Sequence, residues 1–248
     1  MHTAAPLENK IAIVTGGTRG IGLAIALRLA KIAKVYICSR YPPKISLPDT
    51  HWIQCDVANE AGVDDFLDGV KEHAGSDRVD ILINNAGVAT SRDGRRVTIE
   101  EISLPEWERC LAVNLTGAFL LCRKIVPLMK NQFGGKIVNI SSASARCGGI
   151  FAGVDYISSK SGIIGLTKGL AFELRNVGIN VNAIAPGRID TEMIRDFDSM
   201  DDWARREVTL GRLGTPDDIA GLVEFLCSDA AAYIHGATFD CNGGWIMS

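Results

Sequence analysis

Residues 10–15 form a short apolar run rich in β-branched side chains, and it stops at Gly16–Gly17–Thr18–Arg19–Gly20–Ile21–Gly22. A helical pattern follows, with Ile21, Ala24, Ile25, Leu27, Arg28 and Leu29 before Ala33. Strand, glycine turn and helix in that order are the context a dinucleotide-binding turn requires. Small residues let the backbone approach a pyrophosphate, and a helix N-terminus offers unpaired N–H groups and a positive dipole end. The spacing is Gly16, Gly20, Gly22, not the Gly-x-Gly-x-x-Gly of the commoner fingerprint. A purely structural turn between strand and helix would use the same residues.

Further strand-like runs lie at 34–39, 51–55, 79–83, 136–141, 179–184 and 237–241, with helical patterns between them. This alternation predicts an α/β chain with one doubly wound, seven-stranded parallel sheet and helices on both faces. At 248 residues, the chain fits a single domain over 1–248. One long helix is expected from Leu104–Pro105 to about Gln132, and a final helix over 217–228 with Thr215 as cap and Pro216 at its start. Residues 88–103 read as an exposed polar loop. Prolines at 42, 43 and 48 make a helix improbable between the second and third strands.

Tyr156 and Lys160 are four residues apart and share one helix face. A free phenol has a pKa of about 10, and a nearby cation is expected to lower it. A tuned tyrosine can exchange a proton with a carbonyl or alcohol oxygen. Ser142 stands at the C-terminal end of the fifth strand, where open parallel sheets bind ligands; Ser144 is the rival hydroxyl. Asn114 lies mid-helix, where an amide is disfavoured without a purpose: a buried hydrogen-bonding role, or a water-binding or helix-kinking role beside the tyrosine.

The second strand closes on Ser39 and Arg40, with no acidic residue to hold a ribose 2′-hydroxyl. Arg40, with Arg19 in the glycine turn, suits a 2′-phosphate, which favours NADP(H) over NAD(H); a solvated Arg40 is the plainer alternative. Asp56, ending the third strand, suits the adenine amino group or caps the helix that starts near Asn59. Asn84–Asn85–Ala86–Gly87 after the fourth strand suits a loop that holds a cofactor ribose and props its neighbours, or any tight turn. Residues 190–207 mix charge with Met193, Ile194, Phe197, Met200 and Trp203, which fits a substrate lid or a solvated amphipathic helix. The apolar tail from Gly243 to Ser248 predicts burial at a subunit contact.

A net charge of −3 and the lack of a Lys/Arg-rich run argue against nucleic acid as a partner. Seven cysteines, odd in number and never in Cys-x-x-Cys spacing, fit reduced thiols in the cytoplasm. Four dispersed histidines show no ligand spacing, so no metal site is expected. Residues 1–10 lack the pattern of a signal peptide, and no segment approaches about twenty uninterrupted apolar residues, so no membrane association is expected.

Thr15–Gly16 with Gly20 and Gly22, Asp56, Asn84–Asn85–Ala86–Gly87, Asn114, Ser142, Tyr156, Lys160, and Pro186–Gly187 with Thr191 occur in the order of the short-chain dehydrogenase/reductase family, which the chain resembles over nearly its full length. The resemblance implies a Rossmann-type domain, hydride transfer between NADP(H) and a small carbonyl or alcohol substrate, and a homotetramer. It makes Tyr156 the acid/base and gives Lys160 the tasks of lowering its pKa and binding the nicotinamide ribose. Ser142 would hold the substrate oxygen, and Asn114 a water in the proton relay. Cofactor contacts are implied at Gly16, Thr18, Arg19, Gly20, Ile21, Gly22, Ser39, Arg40, Asp56, Val57, Asn85, Ala86, Gly87, Tyr156, Lys160, Pro186, Gly187, Ile189 and Thr191. The interval from Ser142 to Tyr156 is one residue longer than is usual in the family, which keeps Ser144 open. The short, proline-rich connection between the second and third strands also departs from relatives that carry a helix there. Residues 210–216 and Asn242–Gly243–Gly244 are similar to those of 3-oxoacyl-[acyl-carrier-protein] reductases, which implies acyl-carrier protein as a partner. Lys124, Lys130 and Arg175 suit contact with an acidic carrier, or simply solvated helix faces. An oxidative secondary-alcohol, sugar or steroid dehydrogenase is the alternative enzyme, and a non-catalytic nucleotide sensor the alternative of another class.

Overall fold

The strands in chain order are β1 (Ile11–Thr15), β2 (Lys34–Ser39), β3 (Thr50–Gln54), β4 (Ile81–Asn84), β5 (Ser91–Arg92), β6 (Arg95–Arg96), β7 (Gly135–Ile140), β8 (Ile179–Pro186) and β9 (Thr238–Cys241). Seven of them pair in the order β3-β2-β1-β4-β7-β8-β9, every neighbour parallel. The structure is a computed structural model that describes residues 10–92, 95–149, 151–192 and 200–247.

The sheet is covered on both faces, which is why its strands read as continuous apolar runs. Successive β1 side chains point to opposite sides: Ile11 and Ile13 enter one core, Ala12 and Val14 the other. Helices α2 (Glu60–Ala74) and α4 (Gly117–Asn131) fill the first core with Val63, Phe66, Leu121 and Ile125. Helices α1 (Gly20–Leu29) and α8 (Pro216–Cys227) fill the second with Ile25, Leu29, Ile219 and Val223. Each fully buried side chain of this size contributes about 1.5–3 kcal/mol. Strand order reverses between β1 and β4, so their carboxyl ends part and leave a crevice. This is the expected Rossmann-like α/β architecture.

The caps follow local chemistry. Asn59 Oδ1 accepts from Gly62 N (3.2 Å) at the start of α2, so Asn59, not Asp56, is the cap there. Thr215 and Asp218 form a capping box on α8, with Pro216 in its first turn as expected. The single long helix expected from Leu104 is instead α3 (Leu104–Leu111), a π-helical turn over Ala112–Thr116, and α4. Asn114 stands in that π-helical turn with its side chain bonded outside the helix, as described below. Within the run Leu104–Asn131 the most apolar 18-residue window has a mean hydropathy of 1.5, compatible with crossing a membrane, but half of that window is buried inside the fold. Residues 88–103, expected as a plain loop, carry the β5–β6 hairpin and a one-turn helix at Ile99–Glu101.

Of the segment 190–207, helix α7 (Met200–Glu207) is amphipathic and buries Ala204; Met193, Ile194 and Phe197 lie outside the described residues. In the apolar tail Trp245 is half-buried, whereas Met247 is exposed. All seven cysteines are free thiols.

Candidate active site

The glycine turn is shaped by what a side chain would strike. Gly16 has φ +66°, a left-handed conformation that glycine adopts without strain. A Cβ on Gly22 would lie 2.3 Å from Gly16 O and 2.4 Å from Asn85 Nδ2. The backbone of β1 therefore reaches α1 with no side chain between them. Arg19, at the N-cap of α1, makes no side-chain cap bond, and the first turn holds no acidic residue. Such an end attracts an anion, so these residues fit a pyrophosphate. Thr18 and Ile21 are half-buried in this turn, and Gly20 faces Thr191, whose Cγ2 would be 3.3 Å from an added Cβ.

The β4 loop is stapled to the turn. Thr15 Oγ1 accepts from Asn85 N (2.9 Å) and Ala86 N (3.0 Å), while Asn85 Nδ2 donates to Thr15 O (2.9 Å). The Asn85 amide thus props the turn. Gly87 lies where a Cβ would meet Lys160 Nζ at 3.4 Å and Asn114 Oδ1 at 3.6 Å, so this loop joins the cofactor end to the tyrosine end.

At the end of β2, Ser39 Oγ donates to Tyr41 O (2.5 Å) and accepts from Trp52 Nε1 (3.0 Å). Arg40 is exposed, its guanidinium 5.7 Å from the centre of the Tyr41 ring. Asp56 accepts from Ala58 N (3.1 Å) and pairs with Arg109 (3.0 Å). Burial pushes its pKa up, but Arg109, the Ala58 N–H and Arg40 outweigh that and hold it below the usual carboxylate value. Val57 is buried against Gly117. Sequence reasoning missed Arg109, and also Lys44, which meets Glu192 (3.8 Å) while Arg19 meets the same carboxylate at 3.6 Å.

Tyr156 and Lys160 stand on α6 (Val154–Glu173), which follows the one-turn α5 (Ser144–Cys147). Lys160 Nζ lies 5.8 Å from the centre of the Tyr156 ring and donates to Ile140 O (2.7 Å) at the end of β7. The expected depression of the phenol by this ammonium is not found in the chain alone. Burial raises the Tyr156 pKa, opposed by a hydrogen bond with Ser142 and by the charge of Arg188. Burial also pulls Lys160 down to about 8. Among the described residues Ser142 is the hydroxyl that meets the phenol; Ser144 N donates to Ser142 Oγ (3.1 Å) instead.

Asn114 Oδ1 accepts from Val88 N (2.8 Å), and its Nδ2 donates to Val88 O and Ser159 Oγ (both 2.9 Å). Ser159 Oγ in turn donates to Tyr156 O (2.7 Å). Asn114 therefore reaches the tyrosine through Ser159, a residue the sequence did not single out. Asp155, fully buried, accepts from Thr90 Oγ1 (2.6 Å) in the first turn of α6, where the helix dipole favours a carboxylate.

The exit of β8 closes the site. Pro186 O accepts from Ala143 N (2.9 Å), which ties the Ser142 loop to this strand. A Cβ on Gly187 would lie 2.7 Å from Asn242 Cα, and Ile189 is buried and bridged to Gly214. Between them stands Arg188, unnoticed in the sequence, half-buried with its guanidinium 4.2 Å from the centre of the Phe151 ring.

A family model described as Enoyl-(Acyl carrier protein) reductase matches residues 16–246. The 3-oxoacyl-[acyl-carrier-protein] reductase FabG of Aquifex aeolicus is 36% identical over 255 residues, covering 96% of this chain and 98% of that protein. The reductase MabA of Mycobacterium bovis is 36% identical, covering 98% of this chain and 95% of its own length. A D-threitol dehydrogenase of Mycolicibacterium smegmatis is 38% identical, covering 97% and 94%. The crystal structure of gox2181 superposes with a TM-score of 0.87 at 32% identity, covering 96% of this chain and 95% of that one. Likeness of this extent in both sequence and fold makes the chain a member of the short-chain dehydrogenase/reductase family, an oxidoreductase that interconverts alcohol and carbonyl groups.

Proposed function

We propose that this enzyme reduces a ketone at the expense of NADPH, with 3-oxoacyl thioesters as the leading substrate class and acyl-carrier protein as the partner that presents them. The observation that carries the reading is the meeting of Tyr156, Ser142 and Lys160 at the carboxyl edge of the sheet, beside a glycine-opened crevice. Arg40 and Arg19, with no acidic group closing β2, support a 2′-phosphate at the adenosine. The relatives named as 3-oxoacyl-[acyl-carrier-protein] reductases support the substrate class.

When bound, the nicotinamide supplies the hydride. Ser142 and Tyr156 hold the ketone oxygen by hydrogen bonds, which strengthen as negative charge develops on it. Burial keeps the Tyr156 phenol protonated, so it is ready to give its proton to that oxygen. Lys160 stabilises the phenolate left behind. Asn114 fixes Ser159 and the Val88 backbone, and so the start of α6. The net change is ketone, NADPH and a proton to secondary alcohol and NADP⁺.

We assign residues 1–248 to one domain and the protein to a homotetramer. Exposed Phe119 on α4 and Phe172 on α6 support burial between subunits. A second reading, oxidation of a polyol, is favoured by the D-threitol dehydrogenase relative. Rates with a 3-oxoacyl thioester and NADPH, set against a polyol and NADP⁺, separate the two. Tyr156→Phe tests the mechanism: turnover should fall about 10²- to 10⁴-fold with NADPH affinity retained. Full activity in that variant refutes it.

A further inference from the structure

We propose that Lys44 binds the 2′-phosphate of the cofactor and that Glu192 competes with that phosphate for Lys44 and Arg19. Together the two residues tune the preference for NADPH over NADH. The inference rests on the reading that the cofactor is NADP(H).

Three segments far apart in sequence meet at one carboxylate. Glu192 Oε2 lies 3.6 Å from Arg19 Nη1 in the glycine turn. Glu192 Oε1 lies 3.8 Å from Lys44 Nζ in the connection between β2 and β3. The neighbouring Thr191 fixes the spot, because its Cγ2 would stand 3.3 Å from a Cβ on Gly20, the first residue of α1. Glu192 is thus brought over the turn that fits a pyrophosphate.

Lys44 belongs to the proline-rich connection that sets this chain apart. Pro42 and Pro43 precede it and Pro48 follows, each with its φ fixed by the ring. Lys44 lies in the first half of that connection, shortly after Arg40. Its contact with Glu192 shows that its ammonium turns toward the glycine turn rather than away from it. Arg19 and Lys44 therefore face one point from two sides.

Both contacts are longer than hydrogen bonds, and the Arg19, Lys44 and Glu192 side chains are 71%, 90% and 52% exposed. Exposed ion pairs of this kind hold weakly. A phosphate brings nearly twice the charge and three acceptor oxygens, and it forms charge-assisted hydrogen bonds with ammonium and guanidinium groups. It therefore displaces a single carboxylate. Glu192 gives up both cations when that happens, so its presence weakens the hold on the phosphate. A cofactor with a free 2′-hydroxyl gains nothing from Lys44 and has no contest with Glu192.

The ligands 2′,5′-ADP and 5′-AMP differ only in the 2′-phosphate, and calorimetric titration with both reads that group without turnover. Glu192→Gln should tighten 2′,5′-ADP about three- to tenfold and change 5′-AMP by less than about twofold. Lys44→Gln should weaken 2′,5′-ADP by about the same factor. In the Lys44→Gln background the gain from Glu192→Gln should be less than about half as large, whereas sites without a common partner would simply add. NADPH and NADH, titrated by cofactor fluorescence, should follow 2′,5′-ADP and 5′-AMP respectively, with thermal melts showing that each variant is folded. Three results overturn the inference and leave an NADP(H) site of Arg19 and Arg40: no gain for 2′,5′-ADP in Glu192→Gln, an equal gain for 5′-AMP, or strict additivity of the two substitutions. Equal binding of 2′,5′-ADP and 5′-AMP by the unmodified chain overturns the NADP(H) reading itself.

Discussion

At the β1–α1 end of the crevice the surface offered to a ligand is backbone, whereas at the β7–α6 end it is side chain. The first end is made by Gly16, Gly20 and Gly22, within seven residues of chain, and it is held from outside by the Asn85 staple and by Gly16 N donating to Cys38 O (2.8 Å). The second draws Asn114, Ser142, Tyr156 and Lys160 from a π-helical turn, a loop and helix α6. A backbone site tolerates almost no added atom, and its preference for an anion comes from fixed N–H groups and the helix dipole, which do not titrate. A side-chain site tolerates atoms but depends on burial and on which charges face one another. The glycine end should therefore fail by steric overlap, and the tyrosine end by loss of hydrogen bonds and by titration.

The largest effect expected is at Gly22. Gly22→Val puts a Cβ 2.3 Å from Gly16 O, a backbone atom that cannot move aside. Loss of about 3 kcal/mol or more of stability, together with loss of NADPH binding, is expected in denaturant titration and cofactor fluorescence. Next, Asn114→Leu removes the side-chain partner of Val88 N and leaves Val88 O only the Cys110 thiol, in a half-buried setting. This should cost about 2–3 kcal/mol and lower kcat more than it raises KM for NADPH. Equal losses in every parameter would make Asn114 a purely structural residue.

The third expectation is a pH dependence. Lys160 has an ordinary pKa of 10.5 and about 8 in the folded chain, so between those values the folded state holds fewer protons than the unfolded one. Stability then rises with pH across that window, and the burial penalty is fully present below about pH 8. The gain should be roughly 2 kcal/mol between about pH 8 and 10, and Lys160→Met should flatten it. A slope identical in the two proteins would show that the amine titrates normally. The smallest effect concerns the exposed Arg40. Arg40→Asp should weaken NADPH relative to NADH by about 10- to 100-fold in direct binding while leaving the melting temperature unchanged. Equal affinity of the unmodified chain for both cofactors would overturn the choice of NADP(H).

The fold was legible because its signals are local. Buried β-branched runs, a glycine turn and Thr215–Pro216 each act within a few residues. The tyrosine–lysine pair was legible for the same reason, since helix geometry alone puts them on one face. The direction of the Tyr156 shift was not: a neighbouring cation and burial oppose one another, and only three-dimensional packing says that burial wins. Nor was the π-turn at Asn114, whose side chain bonds to Val88, 26 residues away in sequence. Arg188 gave no signal at all. An arginine after Pro186–Gly187 reads as a solvated loop residue until Phe151 is folded onto it.

By itself the sequence determined the parallel sheet, the glycine-lined turn and the candidates Tyr156, Lys160 and Ser142, because each follows from steric rules or periodicities spanning one turn of chain. The tertiary structure decided that burial outweighs the charges around the phenol and raises its pKa, and that the Asn114 amide is spent on Val88 and Ser159. Those outcomes depend on dielectric and on distances between segments far apart in the chain, and neither exists until the sheet has assembled.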